Sequence, residues 1–168
     1  MRLLLAGLLW GSLAFCEEEP QAPVLTENIF HRYQLNSFGG IHVTDESAAI
    51  LGVQFGIAPV RRASYYVGPE VSLSLYPSGS LLEILGSGWV EIRIYGAPRL
   101  SLTAGALLGF GIASNMPNLS SVVGVTYGEL GLIQEVGEYI NVKGTFRPGF
   151  VGGYYSFIMS LGITIRLV

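Results

Sequence analysis

Charged residues are scarce in this chain, and their scarcity limits the kind of surface that it can present to water. Only 12% of the 168 residues are charged, 50% are hydrophobic, and the mean hydropathy is +0.50. Soluble domains usually carry about 25% charged residues. The 9 basic residues are scattered and outnumbered by 12 acidic ones, which argues against nucleic acid as a partner.

Cysteine and long apolar runs are also lacking. Cys16 is the only cysteine, so the chain can form no internal disulfide and no cysteine-based metal or redox centre. After the N-terminus, no window holds the roughly 18 consecutive apolar residues that a membrane-spanning helix requires. We therefore do not expect a helical membrane protein.

The N-terminal segment has the layout of a secretory signal. The stretch "MRLLLAGLLWGSLAFC" holds one arginine, an apolar run and then small residues, which predicts a signal peptide over 1–16 with cleavage after Ala14 or Cys16. Lipidation of Cys16 is an alternative, which the bulky Phe15 before it disfavours. The acidic, proline-containing segment 17–29 is expected to be a periplasmic tail, and 30–168 the folded domain.

The rest of the chain alternates between apolar and polar residues. In "FIMSLGITIRLV", Phe157, Met159, Leu161 and their successors at every second position are apolar, whereas serine, glycine, threonine and arginine occupy most positions between them. This period of two is typical of β-strands with one apolar face. The pattern predicts eight strands at roughly 30–43, 49–59, 65–76, 89–95, 99–112, 121–134, 139–150 and 154–167, with a bulge near 128–131.

The composition of the polar faces indicates which face points inward. They consist mainly of glycine, serine and threonine with few charges, which makes a poor water-facing surface but suits a narrow lumen. The fold class predicted is therefore all-β, an eight-stranded antiparallel up-and-down transmembrane barrel whose apolar faces contact lipid. The residues expected to face lipid are Leu51, Val53, Phe55, Val71, Leu73, Leu75, Ile92, Leu102, Val142, Leu161, Ile163 and Ile165. A soluble lipocalin-like carrier, with its apolar faces inside, is an alternative.

The connections suggest an orientation for such a barrel. An even strand number brings both termini to one side, expected to be the periplasm, with turns at "VRRASY", "GAP" and "VGE". The outer loops would then be "TDES", "PSGSLLEILGSG", "ASNMPNLS" and "GG". Aromatic residues near the strand ends are expected to form two interfacial belts: Tyr65, Tyr66, Tyr95 and Tyr139 at the turns, and Tyr76, Trp89, Phe150, Tyr154 and Tyr155 at the loops.

The signal sequence, the eight alternating strands and the closing "SLGITIRLV" together resemble the small outer-membrane barrels of Gram-negative bacteria, the OmpA-, OmpX- and OmpW-like group with its porin-like pattern. The resemblance implies an outer-membrane location, contact with outer-membrane lipid, and a last strand read by the barrel-assembly machinery. Likeness to the OmpW-like members implies passive passage of small solutes as one function. A structural or surface role is the other.

Charged residues on the inner face are expected to pair, because an unpaired charge is costly in a narrow lumen. We expect Arg93 to pair with Glu70, and Lys143 or Arg147 with Glu129; the network could plug the barrel or line a solute path. The residues assigned to this network are Glu70, Glu91, Arg93, Glu129, Lys143, Arg147 and Arg166.

Catalytic signals are weak. His31 and His42 are the only histidines, and neither begins the His-x-Ser pair by which barrel lipid A deacylases are recognised. His42 could face inward near the outer rim, and an interfacial or loop histidine is favoured over a catalytic one. With no phosphate loop, metal cluster or nucleophile elbow, we predict a non-enzymatic protein with no cofactor or metal. A lipid-modifying enzyme of the outer membrane stays open as an alternative.

Overall fold

Eight antiparallel strands, each paired with the next along the chain, form a closed barrel in the computed structural model. The structure describes residues 32–59 and 64–167, so the predicted signal peptide and tail, over 1–16 and 17–29, lie outside the described residues. The strands are β1 (Tyr33–Val43), β2 (Ser47–Ile57), β3 (Tyr65–Leu75), β4 (Ser80–Ile94), β5 (Ala97–Ser114), β6 (Val122–Glu135), β7 (Ile140–Val151) and β8 (Tyr154–Leu167). β8 pairs with β1 and closes the barrel. The predicted eight-stranded up-and-down barrel is confirmed.

The two ends of the barrel differ in their connections. At one end, called the loop end, lie the connections 44–46, 76–79, 115–121 and 152–153. At the other, called the turn end, lie the connections 95–96 and 136–139, together with the first residue of β1 and the last of β8. Among residues 32–59 and 64–167, no helix is long and apolar enough to cross a membrane.

Strand β4 is much longer than predicted. The prediction began it at residue 89 and assigned 77–88 to an outer loop, whereas the strand begins at Ser80. Leu81 and Leu85 point inward here while Ile84 points outward, so both faces are apolar and the period of two is hidden. The loop at this position shrinks to a tight connection, in which the Tyr76 N–H donates to the carbonyl of Gly79.

The predicted bulge in β6 is wrong. The β5–β6 ladder runs without a register shift through residues 128–131, and the shift in the neighbouring β4–β5 ladder lies at Arg93 and Ile94. Strand β6 broke the expected alternation because its inward side chains include Val123, Val125 and Tyr127. These residues belong to an apolar group inside the barrel.

Apolar side chains fill the lumen toward the loop end. This group, called the loop-end cluster, packs against Met116 and Leu119 of the β5–β6 connection. Its buried members are Phe38, Ala48, Ile50, Tyr76, Leu81, Leu85, Leu107, Val123, Val125, Tyr127, Val151 and Ile158. The interior is therefore not polar throughout, as the alternation had suggested.

Three aromatic residues expected in the interfacial belts lie inside the barrel instead. Tyr66 and Trp89 are buried near the turn end with their rings stacked, the centroids 5.5 Å apart, and Tyr76 belongs to the loop-end cluster. Trp89 also lies near the opposite end from the one predicted, because the early start of β4 moves it along the barrel. The remaining predicted aromatics are exposed: Tyr65, Tyr95, Tyr139, Phe150, Tyr154 and Tyr155.

Candidate functional site

Most of the charged residues predicted to form a network lie in the barrel interior, because every second residue of each strand points inward. Glu70 lies between two exposed neighbours on β3, and Arg147 and Lys143 occupy inward positions of β7. Glu70, Glu129, Lys143 and Arg147 are almost completely buried. Glu91 and Arg166 lie nearer the turn end, and Arg93 lies at the rim with 65% of its side chain exposed.

Five polar side chains meet in the middle of the barrel, and we call them the central network: Gln54, Glu70, Glu129, Lys143 and Arg147. Arg147 donates through Nη1 to Glu70 Oε1 at 2.7 Å and through Nε to Glu129 Oε2 at 2.8 Å. Lys143 Nζ donates to Glu129 Oε1 at 2.7 Å and lies 3.4 Å from Gln54 Oε1. Two cations balance two carboxylates, so the central network is electrically neutral.

Aromatic rings pack against both cations of the central network. The Arg147 guanidinium carbon lies 4.8 Å from the centroid of the Phe38 ring, and Lys143 Nζ lies 5.0 Å from the Trp89 ring. The negative face of each ring offsets part of the cost of removing these charges from water. The cations are thus held by carboxylates and rings at once.

A second group of charges, the turn-end network, lies closer to solvent. Arg166 donates through Nη2 to Glu91 Oε2 at 2.8 Å and through Nη1 to Glu135 Oε1 at 3.0 Å. Gln34 Nε2 donates to the other Glu91 oxygen at 2.8 Å, and Arg93 Nη2 lies 3.7 Å from Glu135.

The predicted pairing of Arg93 with Glu70 is wrong. Arg93 ends β4 at the rim, whereas Glu70 lies deep in the lumen, where Arg147 binds it. Glu129 does pair with Lys143 and with Arg147, the two partners that the sequence left open. Glu135, the carboxylate that Arg93 does approach, was absent from the predicted network.

A cluster of hydroxyl groups around His42 was missed by the sequence analysis. His42 Nδ1 lies 2.8 Å from Ser74 Oγ, and His42 Nε2 lies 2.6 Å from Ser156 Oγ and 3.0 Å from the Tyr127 hydroxyl. Tyr127 in turn donates to Glu83 Oε1 at 2.7 Å, and Ser72 donates to Glu83 Oε2. His42 faces inward one residue before the loop-end terminus of β1, as expected, but the preferred expectation of an interfacial or loop histidine is wrong because the ring is fully buried. His31 lies outside the described residues.

Two features hid this cluster from sequence reasoning. Glu83 falls in the segment predicted to be a loop, and its inward position became visible only with the full length of β4. The partners of His42 are 32, 85 and 114 positions away, so no local motif joins them. The Ser156–His42 contact has the spacing of a nucleophile and its base, but both side chains are fully buried, and the His42 ring packs against Tyr76 and Tyr127 of the loop-end cluster. Among residues 32–59 and 64–167, no three potential metal ligands lie close enough together to hold an ion.

The outer face carries the residues expected to contact lipid. Phe55 and Val142 are half-buried, Phe55 by the Tyr33 ring at 6.1 Å between centroids, and the other members are exposed, with 68% exposure at Leu51. The exposed members are Leu51, Val53, Val71, Leu73, Leu75, Ile92, Leu102, Leu161, Ile163 and Ile165. They occupy the outward positions of their strands, which alternate with the inward ones.

Polar contacts tie the loop-end connections to one another. Asn118 Nδ2 of the β5–β6 connection donates to Asp45 Oδ2 of the β1–β2 connection at 2.9 Å. Ser78 Oγ of the β3–β4 connection donates to Glu46 Oε2 at 2.7 Å. The hydrogen bonds from Asn118 and Thr44 hold the pKa of the Asp45 carboxyl below its ordinary value. With Met116 and Leu119, these residues line a shallow pocket above the loop-end cluster.

A closed eight-stranded barrel with charges inside and apolar side chains outside has the fold of the small outer-membrane β-barrels. The crystal structure of Neisserial surface protein A (NspA) is similar, with a TM-score of 0.64 and 13% identity over 80% of this chain and 96% of that one. The N-terminal β-barrel domain of Pseudomonas aeruginosa OprF is similar too, with a TM-score of 0.59 and 14% identity over 80% and 96%. No protein-family model matches the chain, and no curated protein matches it in sequence. The resemblance to this class of barrels is confirmed at the level of the fold.

Proposed function

We propose that this chain is an integral protein of a bacterial outer membrane, a sealed and non-enzymatic barrel with a structural or surface role. The observation that carries this proposal is the reversal of the usual distribution of residues. Fully buried charges occupy the lumen, while leucine, isoleucine, valine and phenylalanine cover the outer face.

A hydrocarbon environment accounts for this reversal. In lipid, the exposed apolar side chains are at no disadvantage, and a closed barrel pairs its backbone groups between strands without water. In water, the same face would be a very large apolar patch of a kind that soluble monomers rarely show. The lipocalin-like alternative requires the opposite arrangement, with the apolar faces lining a ligand cavity.

The even number of strands supports a location of both termini in the periplasm. β1 starts and β8 ends at the turn end, and in outer-membrane barrels the short turns are periplasmic. The tied connections at the loop end, with Asp45 and Glu46, would then face the outside of the cell. In this orientation the outer-membrane lipid is the main partner of the barrel, and the barrel-assembly machinery its partner during insertion.

The filling of the lumen favours a sealed barrel over a solute path. Inward glycines could leave room for water, but a Cβ on Gly52 would clash with the ring of Phe38, and one on Gly56 would clash with the ring of Trp89. These glycines make space for aromatic rings rather than for water. The central network and the loop-end cluster occupy successive levels of the same lumen.

The position of His42 supports a non-enzymatic role. An enzyme that acts on membrane lipid needs its catalytic groups at the lipid face or at an open rim, and the His42 ring is fully buried and packed against the rings of Tyr76 and Tyr127. Its ring nitrogens are already occupied by serine and tyrosine hydroxyls.

Fractionation of a Gram-negative host that expresses the full chain tests the proposal. We expect the protein in the outer-membrane fraction, soluble only in detergent, and migrating faster on a gel before heating than after it. Recovery of a detergent-free monomer from the periplasm would overturn the membrane assignment. Lipid hydrolysis or acyl transfer by the purified barrel, lost in His42→Ala, would overturn the non-enzymatic role.

A further inference from the structure

Two of the eight strand ladders are interrupted without a change of register, and a proline lies at each of these interruptions. The β2–β3 ladder lacks the pairs that would join Phe55 and Gly56 to Pro69 and Gly68. The β6–β7 ladder lacks the pairs at Gly128–Glu129 opposite Arg147–Pro148. Proline has no N–H to donate, so each interruption removes a hydrogen bond from the ladder. We call these two places the β2–β3 seam and the β6–β7 seam.

The other ladders of the described barrel continue past this level. Their one irregularity is the register shift at Arg93 and Ile94, at the turn end, where residues 98–100 of β5, including Pro98, have no partner in β4. In an eight-stranded barrel, the β2–β3 and β6–β7 seams lie diametrically opposite each other. The two interruptions therefore lie on opposite sides of the barrel. The β2–β3 interruption is one pair, Ile57 with Val67, from the turn end of its ladder, and the β6–β7 interruption lies within its ladder.

The central network comes only from the four strands that border these seams. Gln54 and Glu70 form the last pair before the β2–β3 interruption, and Glu129 and Arg147 face each other inside the β6–β7 interruption. Across that second seam, Arg147 Nε donates to Glu129 at 2.8 Å, where the backbone pairing is missing. Across the lumen, Arg147 Nη1 reaches Glu70, beside Pro69, at 2.7 Å.

We propose that the central network is a clasp that holds the two proline seams together, and that the barrel opens first at these seams. Side-chain hydrogen bonds of charged groups there replace the backbone hydrogen bonds that proline cannot make. Local opening of a folded protein starts where hydrogen bonding is weakest.

The turn-end network provides a matched control. Arg166 on β8 and Glu91 on β4 also join opposite strands through a well-buried ion pair, at 2.8 Å. The ladders on either side of β4 and β8 are continuous where these residues lie, apart from the shift after Arg93. Loss of Arg166 therefore removes a comparable ion pair from strands that have no seam.

Amide hydrogen exchange of the purified barrel in detergent tests the seams directly. Pro69→Ala and Pro148→Ala restore the missing donors, and each should slow exchange in the strands of its own seam by about fivefold, the effect of one net backbone hydrogen bond. Pro117→Ala, in the β5–β6 connection, should leave strand exchange unchanged. The proposal would be overturned if neither Pro69→Ala nor Pro148→Ala slowed amide exchange in the strands of its seam.

The clasp is tested by removing the charge of Arg147, both in the wild-type barrel and in the Pro69→Ala/Pro148→Ala variant. Arg147→Gln should speed exchange in β2, β3, β6 and β7 by about tenfold more than in the other strands, as expected for a charged hydrogen bond, and Arg166→Gln should not. The effect of Arg147→Gln should shrink when both prolines are replaced. The clasp would be refuted if Arg147→Gln accelerated amide exchange equally in all eight strands. It would also be refuted if the effect of Arg147→Gln were unchanged by the two proline substitutions. If Arg147→Gln does not fold, Glu70→Gln provides the same comparison with the Arg147–Glu129 contact intact.

Discussion

Replacement of Arg147 by glutamine removes the cation that two buried carboxylates share. Glu129 keeps its contact with Lys143 at 2.7 Å, whereas Arg147 is the one cation of the central network that forms an ion pair with Glu70. An ion left unpaired in a buried site costs about 3–5 kcal/mol. We therefore expect Arg147→Gln to lower the free energy of unfolding by roughly that amount, nearly all of it from Glu70.

The double variant Glu70→Gln/Arg147→Gln separates charge from packing. It removes both members of the pair, so it should be more stable than Arg147→Gln alone, with a coupling energy of about 2 kcal/mol. Reversible urea unfolding in phospholipid vesicles measures both values. Trp89 reports on the site, because its ring lies 5.0 Å from Lys143 Nζ and Trp10 is the only other tryptophan.

Two results would refute this reasoning. A cost below about 1 kcal/mol for Arg147→Gln would mean that water reaches Glu70 and solvates it. A double variant as unstable as the sum of the two single variants would mean that the charges do not interact. Either result would also remove the basis for a sealed lumen.

Three further predictions concern the outer face, the lumen and the loop end. Leu161→Arg should cost about 2–4 kcal/mol in vesicles, whereas Leu161→Phe should be nearly neutral; equal costs would contradict lipid contact at this position. Planar-bilayer recordings of the wild-type barrel should show no steady conductance, and clear single-channel steps would favour passive passage instead. The tie between Asp45 and Asn118 should persist at neutral pH and be lost as the pH falls through the lowered pKa of Asp45. Amide hydrogen exchange at residues 115–121, measured against pH in the wild type and in Asn118→Ala, which lacks this hydrogen bond, reports the loss.

The alternation of residues predicted the fold wherever the two faces of a strand differ. In β8 and β3, outward leucine, isoleucine or valine alternates with inward residues that are mostly serine, glycine or charged. The predicted ends of these two strands agree with the observed ends to within one residue. It failed at β4 because Leu81 and Leu85 line the loop-end cluster, and both faces of that strand are therefore apolar. A period of two cannot be read when the interior itself is hydrophobic.

The inward charges could be predicted, but their partners could not. Whether a residue points inward follows from the alternation along its own strand. Which residues form an ion pair depends on whether residues of distant strands lie at the same level of the lumen. Arg147 and Glu70 are separated by 77 positions and meet across the full width of the lumen. Arg93 shares the inward parity of its strand, yet its place at the rim takes it to Glu135. The His42 cluster was missed for the same reason, since its partners come from three other strands.

The β7–β8 connection consists of two glycines, Gly152 and Gly153, whose φ angles of 59° and 89° turn the chain back within two residues. Such a turn matches the twist of the strands on either side, and side chains other than glycine rarely adopt both angles. With the β1–β2 and β3–β4 connections also short, residues 115–121 form the longest connection at that end; Met116 and Leu119 fold it onto the loop-end cluster, and Pro117 and Ser120 stay exposed. An inserted peptide tag, an antibody epitope or sequence variation between strains would find room there and almost nowhere else on that side of the molecule.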